Sequence, residues 1–195
     1  MPTPTLVLPH TPHTISDFVQ SASEVLPNRK AANVAAAHWC LETAAGQSCY
    51  GDNPGNLTCG AAPSYPCGKH PLVTSPGLVF ADFVYLTQGA KAYVDFISAH
   101  GGYQALYNGD VNAYAQALAN MGYAGSGVDA ATYAAQINSY MPQTSAVVLA
   151  PTPAGGAPYA IAPLAAVGVG VLGLFLGSWA ADGFKRPKIP PAWAR

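Results

Sequence analysis

Residues 28–48 read Asn-Arg-Lys-Ala-Ala-Asn-Val-Ala-Ala-Ala-His-Trp-Cys-Leu-Glu-Thr-Ala-Ala-Gly-Gln-Ser. Most of these are good helix formers, and neither Gly nor Pro intervenes before Gly46, so the stretch predicts a helix over residues 28–45 with Gly46 as its C-terminal cap. Val34, His38, Leu41 and Ala45 fall along one stripe. So many alanines imply a helix packed on its neighbours through small residues, which makes the fold class mainly α.

Helical patterns flank this segment on both sides. Residues 14–26 form a first helix, capped by Thr14 or Ser16 and ended by Pro27, behind a Pro/Thr-rich lead over residues 1–13. From Cys49 to Gly77 the composition turns to Gly, Pro, Asn, Ser and Cys, which reads as a long loop with short turns. Three more helices follow. One covers residues 87–100, with Ala90, Tyr93, Val94 and Ile97 inward. The next, over residues 110–121, starts on Asp110 as N-cap and stops at Gly122. The last covers residues 129–140, and Pro142 closes the domain. The tyrosines Tyr103, Tyr107 and Tyr114 read as core or groove wall.

Only 9% of the 195 residues are charged, against roughly 25% in ordinary soluble domains. The reason is a run without a charge from residue 159 to 181, long enough to cross about 30 Å of hydrocarbon. Tyr159 and Trp179 sit at its ends as interfacial aromatics. A buried core helix is the competing reading. Lys185, Arg186, Lys188 and Arg195 follow the run, whereas no Lys or Arg precedes it back to Lys91. The positive-inside rule then puts the tail at 182–195 in the cytoplasm and the N-terminal domain outside. The resulting plan is a lead at 1–13, a helical domain at 14–143, a Pro/Gly/Ala linker at 144–158, a membrane span at 159–181 and a basic tail. Gly173 and Gly177 form a small-xxx-small pair suited to helix association. A net charge of −1 and no basic run longer than two residues exclude a nucleic-acid partner. The N-terminus shows no basic n-region and no unbroken apolar run of the kind that marks a secretion signal.

Cys40, Cys49, Cys59 and Cys67 fall in one stretch and allow two local disulfides, Cys49/Cys59 with Cys40/Cys67 being one of three connectivities; free buried thiols are the alternative. Zinc is disfavoured because no close Cys-x-x-Cys pair and no His pair at ligand spacing occurs, and no cofactor is expected. Only two glutamates exist. Glu24 reads as helix surface. Glu42 lies in the last turn of an apolar helix beside a polar loop, where partial desolvation and the helix C-terminus both favour the protonated carboxyl that a general acid needs. His38, one turn earlier, either bonds that carboxyl or is an ordinary helix neighbour. Trp39 reads as core, and Tyr50 as a surface on which a sugar ring could stack.

Leu41-Glu42-Thr-Ala-Ala-Gly46-Gln47-Ser48 resembles the Glu-Ser/Thr-x-x-Gly-x-Ser signature of lysozyme-like peptidoglycan hydrolases, most closely the N-acetylglucosaminidase group of flagellar rod-associated and bacteriophage cell-wall enzymes. Asn53-Pro-Gly-Asn56-Leu-Thr-Cys-Gly60 resembles the Asn-rich turn of that group. Residues 80–97 resemble its aromatic strand-like piece and following helix. Met121-Gly122-Tyr123-Ala124 with Tyr133 resembles its Gly-Tyr-Ala motif and following Tyr. The likeness covers residues 28–140. It implies a lysozyme-like helical fold with Glu42 as the general acid, Tyr123 and Tyr133 lining the cleft, and Asn53, Asn56 and Ser48 contacting sugar. Two departures stand out. Gly125-Ser126-Gly127 replaces the family's Thr-Asp, and no acid occurs in residues 61–78. The candidates for a second carboxylate are Asp52 and Asp82. A mechanism with one Glu, using the substrate's N-acetyl group or 6-hydroxyl, needs neither.

The expected function is a membrane-anchored, bacteriophage virion-associated glycosidase that opens the peptidoglycan wall during entry, with other virion proteins as neighbours. The alternatives are a structural or channel-forming protein whose lysozyme-like domain is an inactive glycan binder, and a bacterial envelope enzyme exported by another route.

Overall fold

The computed structural model describes residues 12–58, 73–74, 78–124 and 128–149; of residues 73–74 and 78–79 only the backbone is described. Among them lie seven helices: α1 (Ile15–Val25), α2 (Arg29–Glu42), α3 (Leu86–Ala99), α4 (Tyr103–Asn108), α5 (Val111–Asn120), α6 (Ala130–Asn138) and α7 (Met141–Ala146). A short antiparallel pair, β1 (Val73–Thr74) and β2 (Leu78–Val79), stands in register Val73↔Val79 before α3. The apolar segment 159–181, the tail, Cys59 and Cys67 lie outside the described residues. Among the described residues no helix is long and apolar enough to cross a membrane.

Helix α2 is the axis of the domain. Every residue from Ala31 to Cys40 is buried, and α1, α4, α6 and α7 all pack on it. The stripe expected from sequence is too narrow a description. Because alanine projects only one methyl, neighbouring helices close around the whole circumference, as a helix without a polar face requires. The volume that alanine does not fill is taken by aromatics. Phe18 meets Trp39 edge to face at 6.1 Å, and Trp39 meets Tyr93 at 5.6 Å. Such buried aromatics each hold about 3–5 kcal/mol against truncation to Ala.

The caps follow the sequence closely. Thr14 and Asp17 form a reciprocal capping box on α1, and Asn28, Asp110 and Asp129 each accept a backbone N–H at the start of α2, α5 and α6. Three differences from the sequence reading appear. Helix α2 ends at Glu42, not at residue 45, because Ala44, Ala45 and Gly46 all turn to positive φ. Residues 103–108 form a short extra helix ended by left-handed Gly109. Pro142 does not close the domain. It sits in the first turn of α7, where its missing N–H costs nothing. Thr144 is fully buried and Arg29 donates to the carbonyls of Thr144 and Val147, so the packed structure runs into the residues read as linker.

Candidate active site

The turn that ends α2 sets the position of Glu42. Thr43 is buried, donates its hydroxyl to the Trp39 carbonyl at 2.6 Å, and accepts the Gly46 N–H at 3.0 Å. The backbone then reverses through φ of 50° at Ala44, 56° at Ala45 and 88° at Gly46. Left-handed alanine costs about 1–2 kcal/mol per residue. This strain is held in place by two backbone bonds across the turn, Ala45 N–H to Cys40 and Ser48 N–H to Thr43. Gly46 is needed on a second count. A side chain there would run into the backbone of His13, whose N–H donates to the Gly46 carbonyl.

The next loop closes on the same helix end. Asn56, itself at positive φ, donates its amide to the Glu42 backbone carbonyl at 3.0 Å. Gly55 lies against the Tyr93 ring, where a Cβ would not fit, and its carbonyl accepts the Tyr123 hydroxyl. Asn53, read from sequence as a sugar contact, is 1% exposed. It donates to the carbonyls of Leu57 and Ala81 and accepts the Leu57 N–H, so its amide closes its own turn and ties it to the segment before α3. Ser48 is half-buried at the turn's exit.

The Glu42 side chain is only 5% exposed. The Tyr133 hydroxyl from α6 donates to its Oε1 at 2.5 Å, and His38 Nε2 stands 3.5 Å from the same oxygen. His38 is fully buried inside a cage of four tyrosine rings, Tyr93, Tyr114, Tyr123 and Tyr133, at centroid distances of 5.2–5.7 Å. Its Nε2 faces the Tyr133 hydroxyl at 2.7 Å; its Nδ1 faces the hydroxyls of Tyr93 at 2.5 Å and Tyr114 at 3.1 Å, which also touch each other. Burial pushes the Tyr93 and Tyr114 phenols up. Neighbouring phenols add to this at Tyr93; at Tyr114 the Glu42 carboxylate adds to it while the Tyr93 hydrogen bond opposes. Both therefore stay protonated and serve as neutral donors.

Of the sequence-predicted residues, Glu42 and Tyr133 are in direct contact. Tyr123 joins the site through the cage, and Asn56 through the backbone of Glu42. Asp52 is engaged elsewhere, its carboxylate 2.7 Å from His13 Nε2. Asp82 lies against Gly51, next to Asp52 in the chain, where a Cβ at Gly51 would meet its carboxylate. Sequence reasoning missed Tyr93 and Tyr114 as partners of His38. Their signal was the hydroxyl itself, because an inward Tyr in place of Phe needs a polar neighbour in the core. Cys40 and Cys49 are buried free thiols, both pushed up to about 12 by burial; at Cys49 the Asp52 charge adds to this, against the Asn53 backbone N–H. No group of three or more metal-ligating side chains occurs among the described residues.

A family model described as Glucosaminidase, mannosyl-glycoprotein endo-β-N-acetylglucosaminidase, matches residues 23–146. No curated protein and no solved structure matches the chain. The matched span runs from the end of α1 through α7, covers well over half of the sequence and contains Glu42 with all four caging tyrosines. The chain therefore belongs to the glucosaminidase family and is a glycoside hydrolase acting on the glycan of the cell wall.

Proposed function

We propose that Glu42 is the general acid of this hydrolase. The observation that carries the proposal is a carboxyl with 5% of its side chain exposed, at the end of the central helix, gripped by a phenol at 2.5 Å. Its burial shields the carboxyl from water while the phenol fixes its orientation, and in the protonated form it delivers its proton to a glycosidic oxygen as the anomeric bond breaks. A partner carboxylate acting as base or nucleophile would stand about 5–9.5 Å away. Asp52 is occupied by His13. The substrate's own N-acetyl oxygen or 6-hydroxyl is therefore the nucleophile we favour, with Tyr123, Asn56 and Ser48 bordering the sugar.

The second half of the proposal concerns place. The uncharged run 159–181 followed by Lys185, Arg186 and Lys188 anchors the enzyme in a membrane, with the catalytic domain outside. Pairing through Gly173 and Gly177 brings copies together. An outward-facing, membrane-held wall hydrolase fits a bacteriophage virion, where it opens the wall during entry beside other virion proteins.

Mass spectrometry of fragments released from purified peptidoglycan tests the chemistry. Reducing N-acetylglucosamine ends show hydrolysis and exclude the 6-hydroxyl as nucleophile; anhydro ends assign the nucleophile to the 6-hydroxyl; no fragments from folded protein sink the proposal. Flotation with liposomes tests the anchor. The full chain should float and a chain ending at residue 158 should not, and equal behaviour of the two refutes the span.

A further inference from the structure

We propose that His38 is a positioning residue for the acid: locked as the Nε2–H tautomer, it compels Tyr133 to donate to Glu42 and so confines the transferable proton to the other carboxyl oxygen. The proposal rests on Glu42 being the acid, but the tautomer itself is a property of the resting protein.

Proton accounting carries the inference. Glu42, Tyr133, His38, Tyr93 and Tyr114 are joined by four links in line, Oε1 to the Tyr133 hydroxyl, that hydroxyl to Nε2, Nδ1 to the Tyr93 hydroxyl, and the Tyr93 hydroxyl to that of Tyr114, with the Tyr114 hydroxyl also 3.1 Å from Nδ1. Three phenols and one neutral imidazole bring four protons, and an ionised carboxylate brings none. Each link is filled once only if all protons point toward Glu42. Tyr114 then donates to Tyr93, Tyr93 to Nδ1, Nε2–H to the Tyr133 oxygen, and Tyr133 to Oε1. The opposite tautomer presents a bare Nε2 that competes with Oε1 for the single Tyr133 proton. His38 is fully buried, so its own ring nitrogens must find their partners among these protein groups. The groups facing the imidazole are Glu42 on its own helix, Tyr93 on α3, Tyr114 on α5, Tyr123 in the turn after α5 and Tyr133 on α6; Glu42 alone among them carries charge.

Long-range proton–nitrogen NMR on the full chain with 15N-histidine reads the tautomer directly. The His38 signals are assigned by their loss in His38→Gln. A pyrrole-type Nε2 with a pyridine-type Nδ1 is expected across the active pH range, and a protonated Nδ1, alone or with Nε2, overturns the proposal. A kinetic arm separates positioning from packing. His38→Leu, folded by circular dichroism, should lower kcat about ten- to a hundredfold with KM nearly unchanged, the value of a donor held on a charged group. His38→Gln, whose amide nitrogen reaches the place of Nε2, should recover part of that loss. Equal loss in both folded variants contradicts the lock, and if neither folds the tautomer decides. Full activity of Glu42→Gln would instead refute the acid assignment while leaving the tautomer result to stand on its own.

Discussion

If Glu42 is the acid, as proposed, Tyr133 is the residue that touches it most closely. Its hydroxyl stabilises the ionised carboxylate, so Tyr133→Phe removes a bond that favours the charged form and raises the pKa of the acid. The basic limb of the pH–rate profile, set by loss of the acid's proton, should move to higher pH. The maximal rate should fall about ten- to a hundredfold. A limb that stays in place would separate Tyr133 from the acid. The two buried cysteines make a different prediction. Both thiols move from 9.0 to about 12 on folding, so the unfolded chain gives up their protons first as pH rises. Stability from these groups is therefore complete below about pH 9 and is lost toward pH 12. Chemical denaturation at a series of alkaline pH values should show that decline, and Cys40→Ala should flatten it. The place of Glu42, in the last turn of an apolar helix, was legible in the sequence from the run of helix formers before it. His38 was only half legible, since helical spacing gives its distance from Glu42 but says nothing of phenols contributed by α3, α5 and α6.

At the scale of elements, the strained turn after α2 connects stability to the site. Gly46→Ala places a Cβ against the His13 backbone at a φ of 88° and should cost about 1–3 kcal/mol in a denaturant melt. Because the same turn aims Glu42, its activity should fall further than its stability, whereas a normal melt would show that the turn relaxes freely. Helix existence and caps were readable from Thr14, Asn28, Asp110 and Asp129, whose side chains act on their own next turn. The end of α2 was not. Ala44 and Ala45 carry no local signal for a left-handed backbone, and only the closure of residues 46–56 onto the helix end requires it. Asn53 shows a related limit: the sequence does not say that its amide bonds the carbonyls of Leu57 and Ala81.

For the whole molecule, an all-buried alanine helix means that stability is shared among every neighbour of α2. Helix α7 is one of them, reached by Arg29 and sealed by Thr144. A chain ending at residue 143 should be less stable than one ending at 149 by about 2 kcal/mol or more, the worth of the charged Arg29 bonds. Equal melting of the two would place α7 outside the cooperative unit. Pro142 concealed this in the sequence, since proline ends one helix and begins another with the same residue. The decisive comparison is Glu42→Gln against the wild-type full chain on purified peptidoglycan, with circular dichroism confirming the fold of both. Loss of fragment release by about a hundredfold or more is expected of a missing general acid, and release at the wild-type rate would contradict the assignment of Glu42.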